Sequence, residues 1–282
     1  MESKWYKKGL DLVEEIKNTT GSAGEIFIWF LGQSGYAIRL GKTLFFIDAV
    51  LNDLTDQNGV SLRNYEPPFA PEEIDFIDYY VSTHGHDDHM PLPTILTLEK
   101  NSPGTKFIVP APLVSTLVEN GISNDKIIPA QAHQSIVCMD SPASVLPLPS
   151  PHTEYRKDEK NNHFYLGYVF KYGDISIYHS GDAVVTDELV RDLQKNSPIN
   201  IALLPVNGSD WERTNKGIIG NMNARDAVML AVNIPFDLTI PGHYDMFRGN
   251  GEDPSIFVSY MYQRCPDKRF HILALGERLI YR

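Results

Sequence analysis

Cysteine is almost absent from this chain. Cys138 and Cys265 are the two in 282 residues, far apart and in no CxxC pattern, which argues against both a disulfide framework and a cysteine-built zinc site. Positive charge is also scarce: 25 Lys and Arg against 36 Asp and Glu leave a formal net charge of −11. Such a field repels phosphate backbones and anionic membrane surfaces, so general nucleic-acid binding is not expected. A small anionic substrate stays compatible, because cations within a site outweigh surface charge lying more than a Debye length, about 8 Å, away. Long hydrophobic runs are missing too. The most apolar stretch, Ile26 to Ile47, is broken by Gln33, Arg39, Lys42 and several glycines, so no membrane span is expected. The start, Met1 to Gly21, is polar and charged, with Trp5, Tyr6, Leu10, Val13 and Ile16 at helical spacing; this predicts a peripheral amphipathic helix rather than a signal peptide. A cytoplasmic protein is expected, and oligomeric state, including a homo-oligomer, is left open.

What is present is an ordinary globular composition, 42% hydrophobic and 22% charged, which excludes disorder. The length suits a single α/β domain over residues 1–282. Phe27 to Leu31, Tyr36 to Leu40 and Thr43 to Ile47 read as an antiparallel meander punctuated by Gly32, Gly35 and Gly41. The loop Leu51 to Pro71 lacks periodicity, and its Tyr65-Glu66-Pro67-Pro68-Phe69 segment either covers a site or runs passively over the surface. Strands and helices then alternate: strands near Asp78–Thr83, Lys106–Val109 and Lys126–Ile128, and helices near Pro93–Lys100 and Pro112–Asn120. A second strand-rich block covers Ser135–Pro149 and His163–His179. Alternation resumes with Asp187–Gln194, Ile201–Val206, Ala224–Val232, Leu238–Pro241 and Pro254–Arg264. Two β-rich blocks, each followed by helices, predict two sheets packed face to face with helices outside. No internal sequence repeat is apparent.

Chemistry concentrates in Thr83-His84-Gly85-His86-Asp87-Asp88-His89, a His-x-His-x-Asp-His run after a predicted strand. Three of the nine histidines fall within it, and a polar helix-capping loop has no use for that many. Imidazole and carboxylate donors suit zinc, manganese or iron. A dinuclear site needs further ligands. His152, Asp182 and His243 each follow an apolar run, where an open α/β architecture places its crevice.

In order and context these residues resemble the metallo-β-lactamase superfamily, whose motifs run His-x-His-x-Asp-His, His, Asp, His; the resemblance covers nearly the whole chain. Within it, Tyr178-His179-Ser180-Gly181-Asp182, Leu204-Pro205-Val206-Asn207-Gly208, Ile219-Gly220-Asn221-Met222-Asn223 and Pro241-Gly242-His243-Tyr244-Asp245-Met246-Phe247 resemble the L-ascorbate-6-phosphate lactonase group. The region Glu154 to Asn162 does not match. The resemblance implies an αββα sandwich and two divalent metal ions, one held by His84, His86 and His152 and the other by Asp88, His89 and His243. It makes Asp182 the bridge, and Asp88 and Asp182 the catalytic carboxylates. Asn207, Arg213, Asn221 and Tyr244 become candidate substrate contacts, with Lys216 and Arg225 nearby; the asparagines either bind substrate or fix loop turns. His179 either orients a ligand or is a satisfied strand histidine. His133, His163 and His271 read as structural or exposed, with His163 bordering the pocket if Glu154–Asn162 does.

The implied function is metal-dependent hydrolysis, with metal-bound hydroxide opening a sugar-acid lactone that carries phosphate or does not. One alternative is a phosphodiesterase of the same fold, nuclease-like or phospholipase-like. Another is a non-catalytic protein that binds metal or a sugar phosphate.

Overall fold

The computed structural model describes residues 4–22 and 24–282, and the elements below are those of the described residues. Helix α1 spans Gly9–Asn18, followed by strands β1 (Ile26–Gly32), β2 (Gly35–Leu40) and β3 (Thr43–Ile47). After a long loop come β4 (Tyr79–Val81), α2 (Leu92–Asn101), β5 (Lys106–Pro110), α3 (Val114–Glu119) and β6 (Ile127–Ala130). The second half holds β7 (Ile136–Val137), β8 (Ser144–Pro149), β9 (Leu166–Tyr172), β10 (Ile175–His179), α4 (Asp187–Lys195) and β11 (Ile201–Pro205). It continues with α5 (Trp211–Asn215), α6 (Ala224–Asn233), β12 (Leu238–Gly242), α7 (Pro254–Arg264), β13 (Arg269–Phe270) and β14 (Arg278–Tyr281).

The strands form two seven-stranded sheets, ordered β14-β1-β2-β3-β4-β5-β6 and β13-β12-β11-β10-β9-β8-β7. Each has the same plan. The neighbours from β14 to β3 pair antiparallel and those from β3 to β6 pair parallel. In the other sheet β7 to β10 pair antiparallel and β10 to β13 pair parallel. A pseudo-repeat that the residues do not spell out is therefore present in the backbone. Short turns join β1 to β2, β2 to β3 and β9 to β10, and helices cross over between β4 and β5, β10 and β11, and β11 and β12.

Strand β1 explains why both faces of a sheet are covered. Its side chains alternate with period two: Ile26, Ile28 and Phe30 enter the core between the sheets, and Phe27, Trp29 and Leu31 face the layer of α1 and α2. Every residue of β1 is buried, so its near-continuous apolar run is what burial on two sides demands. Strand β9 behaves likewise, sending Tyr168 and Phe170 inward and Val169 to the helices of the second sheet. The sheets meet where Phe45 of β3 sets its ring edge-on to Phe170, centroids 5.2 Å apart.

The amphipathic start is a helix only from Gly9, burying Leu12, Val13 and Ile16. Tyr6 and Leu10 are exposed, and residues 1–3 of that expected segment lie outside the described residues. The Tyr65–Phe69 segment of the Leu51–Pro71 loop is anchored in the fold rather than lying passively on the surface. Tyr65 and Phe69 are buried in the two cores flanking the first sheet, and Arg63, also buried, donates to the carbonyls of Val50, Asn52 and Tyr65. No helix among the described residues is long and apolar enough to cross a membrane.

Candidate metal centre

The carboxyl ends of β3, β4, β8, β10 and β12 meet at one edge of the sandwich, where Asp48, the His84–His89 run, His152, Asp182 and His243 come together. His84, His86, His152 and Asp182 offer donor atoms within 4.8 Å of one another, as do Asp88, His89 and His243. Asp182 joins the two groups. Its Oδ1 lies 3.2 Å from His89 Nε2 and 3.1 Å from His243 Nε2, while Oδ2 lies 4.0 Å from His152 Nε2. Asp88 Oδ2 stands 3.4 Å from His89 Nε2 and 3.5 Å from His243 Nε2. His84 Nε2 and His86 Nδ1 are 2.8 Å apart.

These positions depend on the strand ends. β4 stops at Val81, and the turn of residues 82–90 then closes on itself through His89 N and Met90 N, both donating to His86 O. Gly181 adopts φ +59°, and a Cβ there would lie 2.8 Å from Thr83 Cβ; only glycine lets the turn after β10 approach the His loop so closely. His243 itself has φ +58° and is pinned by its backbone N–H donating to Gln33 O at 2.8 Å.

Several supporting residues carry no sequence motif of their own. Asp48, fully buried at the end of β3, accepts from Thr83 N at 2.9 Å and Thr83 Oγ1 at 2.7 Å. Its Oδ2 also lies 2.7 Å from His89 Nδ1. Gln33, in the β1–β2 turn, donates Nε2 to Asp88 Oδ2 at 3.1 Å. Tyr165 sets its ring against His84, His86 and His152, with centroids 5.2 to 6.3 Å away. The signal for Asp48 was a carboxylate ending an apolar strand, the same signal that singled out Asp182.

Burial and the two carboxylates divide the histidines electrostatically. Burial holds His84 well below the usual imidazole range, helped by neighbouring His89, and holds His152 down at about 4. For His89 and His243 burial acts in the same direction but is outweighed. Asp182, Asp88 and Asp48 lift His89 well above its usual value, and Asp182 and Asp88 lift His243 to about 9. Burial raises Asp88 and Asp182 in turn, yet His89 and His243 hold both carboxyls well below the carboxylate range. The site thus requires positive charge between its carboxylates.

One pair of atoms tests whether a metal suits that requirement. His89 Nε2 and Asp182 Oδ1 are both buried without a hydrogen-bond partner. With Nδ1 donating to Asp48, a neutral His89 points the lone pair of Nε2 at two carboxylate oxygens. That arrangement is repulsive unless a proton or a metal cation lies between them. Five imidazoles and two carboxylates are a mixed nitrogen and oxygen set of the kind that holds zinc, manganese or iron. The residues therefore fit divalent metal.

A cleft of about 230 Å³ opens over the centre. Besides His86, Asp88, His152, Asp182 and His243 it is lined by Gly217, Ile218, Ile219, Phe247 and Asn250. Among the described residues no Lys or Arg lines it. None of the expected substrate contacts, Asn207, Arg213, Asn221 and Tyr244, is in this lining. Asn207, Arg213 and Asn221 are buried behind the lining. Arg213 is tied to Asp210 by an ion pair and donates Nη1 to Asn207 O at 2.8 Å and to Asn250 Oδ1 at 3.2 Å. Its charge, lying just past β11, is spent on the loop rather than offered to a ligand. Tyr244 packs against the apolar cluster beneath the second sheet. Lys216 pairs with Glu212, and Arg225 is exposed on α6. Asn250, which sequence reasoning passed over, lines the cleft because residues 246–248 are bound to the long loop: Asn64 N donates to Met246 O and Arg248 N to Leu62 O.

His179 is a satisfied strand histidine, with Nε2 2.9 Å from Ser34 O and Nδ1 accepting from Gly181 N at 3.1 Å. His133 is exposed near Asp192 and His271 faces Glu277. His163 is buried against Tyr155 and does not line the cleft.

Residues 43–244 match the model of a family described as a beta-lactamase superfamily domain. A protein of Aeropyrum pernix described as a metal-dependent hydrolase is 25% identical over 261 residues, which is 88% of this chain and 94% of that one. Two solved structures share the fold. A metallo hydrolase from the archaeon Ignicoccus hospitalis superposes with TM-score 0.69 at 17% identity, covering 92% of this chain and 99% of its own. An isothiocyanate hydrolase from Delia radicum gut bacteria gives TM-score 0.71 at 16% identity, covering 90% and 98%.

Proposed function

The chain belongs to the beta-lactamase superfamily domain family, and from that membership we propose a metal-dependent hydrolase that carries two divalent ions and opens a compact lactone or similarly small ester-like substrate. The observation that carries the reading is the meeting of seven side chains in two groups, with the two oxygens of Asp182 turned to different groups. His84, His86, His152 and Asp182 would hold one ion, and Asp88, His89, His243 and Asp182 the other. Ions held there would supply Lewis acidity and make water acidic enough to attack at neutral pH. Ligands come from the ends of strands in both sheets, so residues 1–282 act as a single catalytic domain in this proposal.

The chain's own residues supply the rest. Asp48 fixes the tautomer of His89, leaving Nε2 as the donor atom. Gln33 steadies Asp88 through Oδ2, which leaves Oδ1 to take a proton from the attacking water and return it to the departing alkoxide. Ile218, Ile219 and Phe247 keep bulk water from the reacting carbonyl. The uncharged part of the lining also suits an isothiocyanate, the substrate named for the gut-bacterial hydrolase of this fold.

Elemental analysis of the purified protein, joined to a screen of neutral and phosphorylated lactones, isothiocyanates and phosphodiesters, tests the proposal. About two ions per chain and metal-dependent turnover of a lactone are expected. A protein that holds no more than one ion at saturation, or that cleaves only phosphodiesters, would defeat it.

A further inference from the structure

The part of the cleft that is not ligand carries one polar side chain among the described residues, Asn250, set among Gly217, Ile218, Ile219 and Phe247. Its orientation is determined. Oδ1 accepts from Asn207 Nδ2 at 3.2 Å and from Arg213 Nη1 at 3.2 Å. Rotating the amide by half a turn would bring its NH2 against two donors, so the oxygen stays on the protein side. Asn207 cannot yield either. It is fully buried, and its own Oδ1 accepts from Asn221 Nδ2 at 3.1 Å. Asp210 anchors Arg213 from behind. That leaves Nδ2 as the amide atom these partners do not take up, on a residue that lines the cleft.

Resting on the hydrolase reading above, we infer that Asn250 is the residue that selects the substrate: its Nδ2 donates to a carbonyl-type oxygen of an uncharged molecule whose hydrocarbon part lies on Ile218, Ile219 and Phe247. The same loop explains why charge is not selected. The buried guanidinium of Arg213 is consumed by Asp210, Asn207 and Asn250, so a phosphate in the cleft would meet no Lys or Arg among the described residues. An amide donor recognises a neutral acceptor without the desolvation cost of a buried charge.

The test uses full-length, zinc-loaded, 15N-labelled protein and δ-valerolactam, the slowly reacting amide counterpart of δ-valerolactone. The side-chain amide signals of Asn250 are assigned by their loss in Asn250→Asp, a variant that keeps an acceptor for Arg213 and hence the loop. Those signals should shift as the lactam saturates. Asn250→Ala should weaken lactam binding and raise KM for δ-valerolactone about ten-fold, the scale of one neutral hydrogen bond, with zinc content and circular dichroism unchanged. A phosphorylated sugar lactone should bind no more tightly than its neutral parent. The inference is overturned if the lactam does not bind, if it binds without moving those signals, if Asn250→Ala stays within two-fold of wild type, or if the phosphorylated lactone is preferred ten-fold. Failure of the hydrolase reading is separable: it would appear as absence of turnover with every ester and lactone, whereas lactam binding is read without turnover.

Discussion

Asp48 Oδ2 and His89 Nδ1 meet at 2.7 Å in a fully buried pair, and much of the centre's metal affinity should rest on that contact. Asp48→Asn keeps the shape but offers His89 a weaker partner. Metal affinity measured by competition with a chelator should fall 10- to 100-fold, the usual cost of losing such a support. Asp182→Asn should act more severely, because an amide bridges two cations poorly. Turnover is expected to drop at least 100-fold, about 2.7 kcal/mol of transition-state stabilisation, with elemental analysis showing fewer than two ions. Unchanged metal content and a rate within a few-fold of wild type would remove Asp182 from the centre. His163 supplies a pH dependence away from the cleft. Burial, with Lys157 and His133 nearby, pushes it down to about 4 from an ordinary value near 6.5. The unfolded chain therefore binds the proton first as pH falls, and stability present above 6.5 is lost progressively down to about 4. Urea unfolding across that interval should show the loss, and His163→Phe should remove the part of it that this histidine carries.

At the scale of elements, the turns after the strands decide how far apart the ligands stand. The turn after β10 is the narrowest point, where Gly181 faces Thr83. Thr83 in turn holds Asp48 through its N–H and its hydroxyl. Gly181→Ala combines a left-handed backbone with a side-chain clash. It should cost about 2 kcal/mol of stability and, more tellingly, loosen the metals by separating Thr83 from Asp182. Urea denaturation and metal retention on dialysis check both. The long loop works in the same manner on the other side of the cleft. Its bonds to Met246 O and Arg248 N hold the segment that brings Phe247 and Asn250 to the centre.

For the whole molecule, stability and chemistry are located in different places. Three apolar clusters, one between the sheets and one beneath each, hold the sandwich together, while the candidate ligands sit on loops at one edge. Chelation should therefore empty the centre without unfolding the chain. Far-UV circular dichroism should persist, with a lower melting temperature as bound metal no longer favours the native state. Phe45→Ala, at the ring contact that joins the sheets, should do the reverse. It should cost about 3–5 kcal/mol and lower the melting temperature while the surviving folded fraction still binds metal. Loss of all secondary structure on chelation would place the stabilising energy in the centre instead.

The amino-acid sequence by itself determined the layers and the identity of the candidate ligands. The near-continuous apolar run of β1 and the apolar runs ahead of His84, His152, Asp182 and His243 are local features, set by burial of a strand on both faces and by where a strand must stop. α5, β13 and β14 were not legible. They are short, and β14 pairs with β1 across more than 240 residues of chain, so its register depends on a partner that no local window contains. The supporting shell was hidden for the same reason. Gln33, Asp48 and Asn250 acquire their roles only when distant loops meet, as when Gln33 reaches Asp88 and His243. Arg213 shows the limit most clearly. A lone arginine in a loop reads as a charge available to substrate. Only the tertiary structure places Asp210, Asn207 and Asn250 around its guanidinium, because a buried cation must find its partners within the protein before it can serve a ligand.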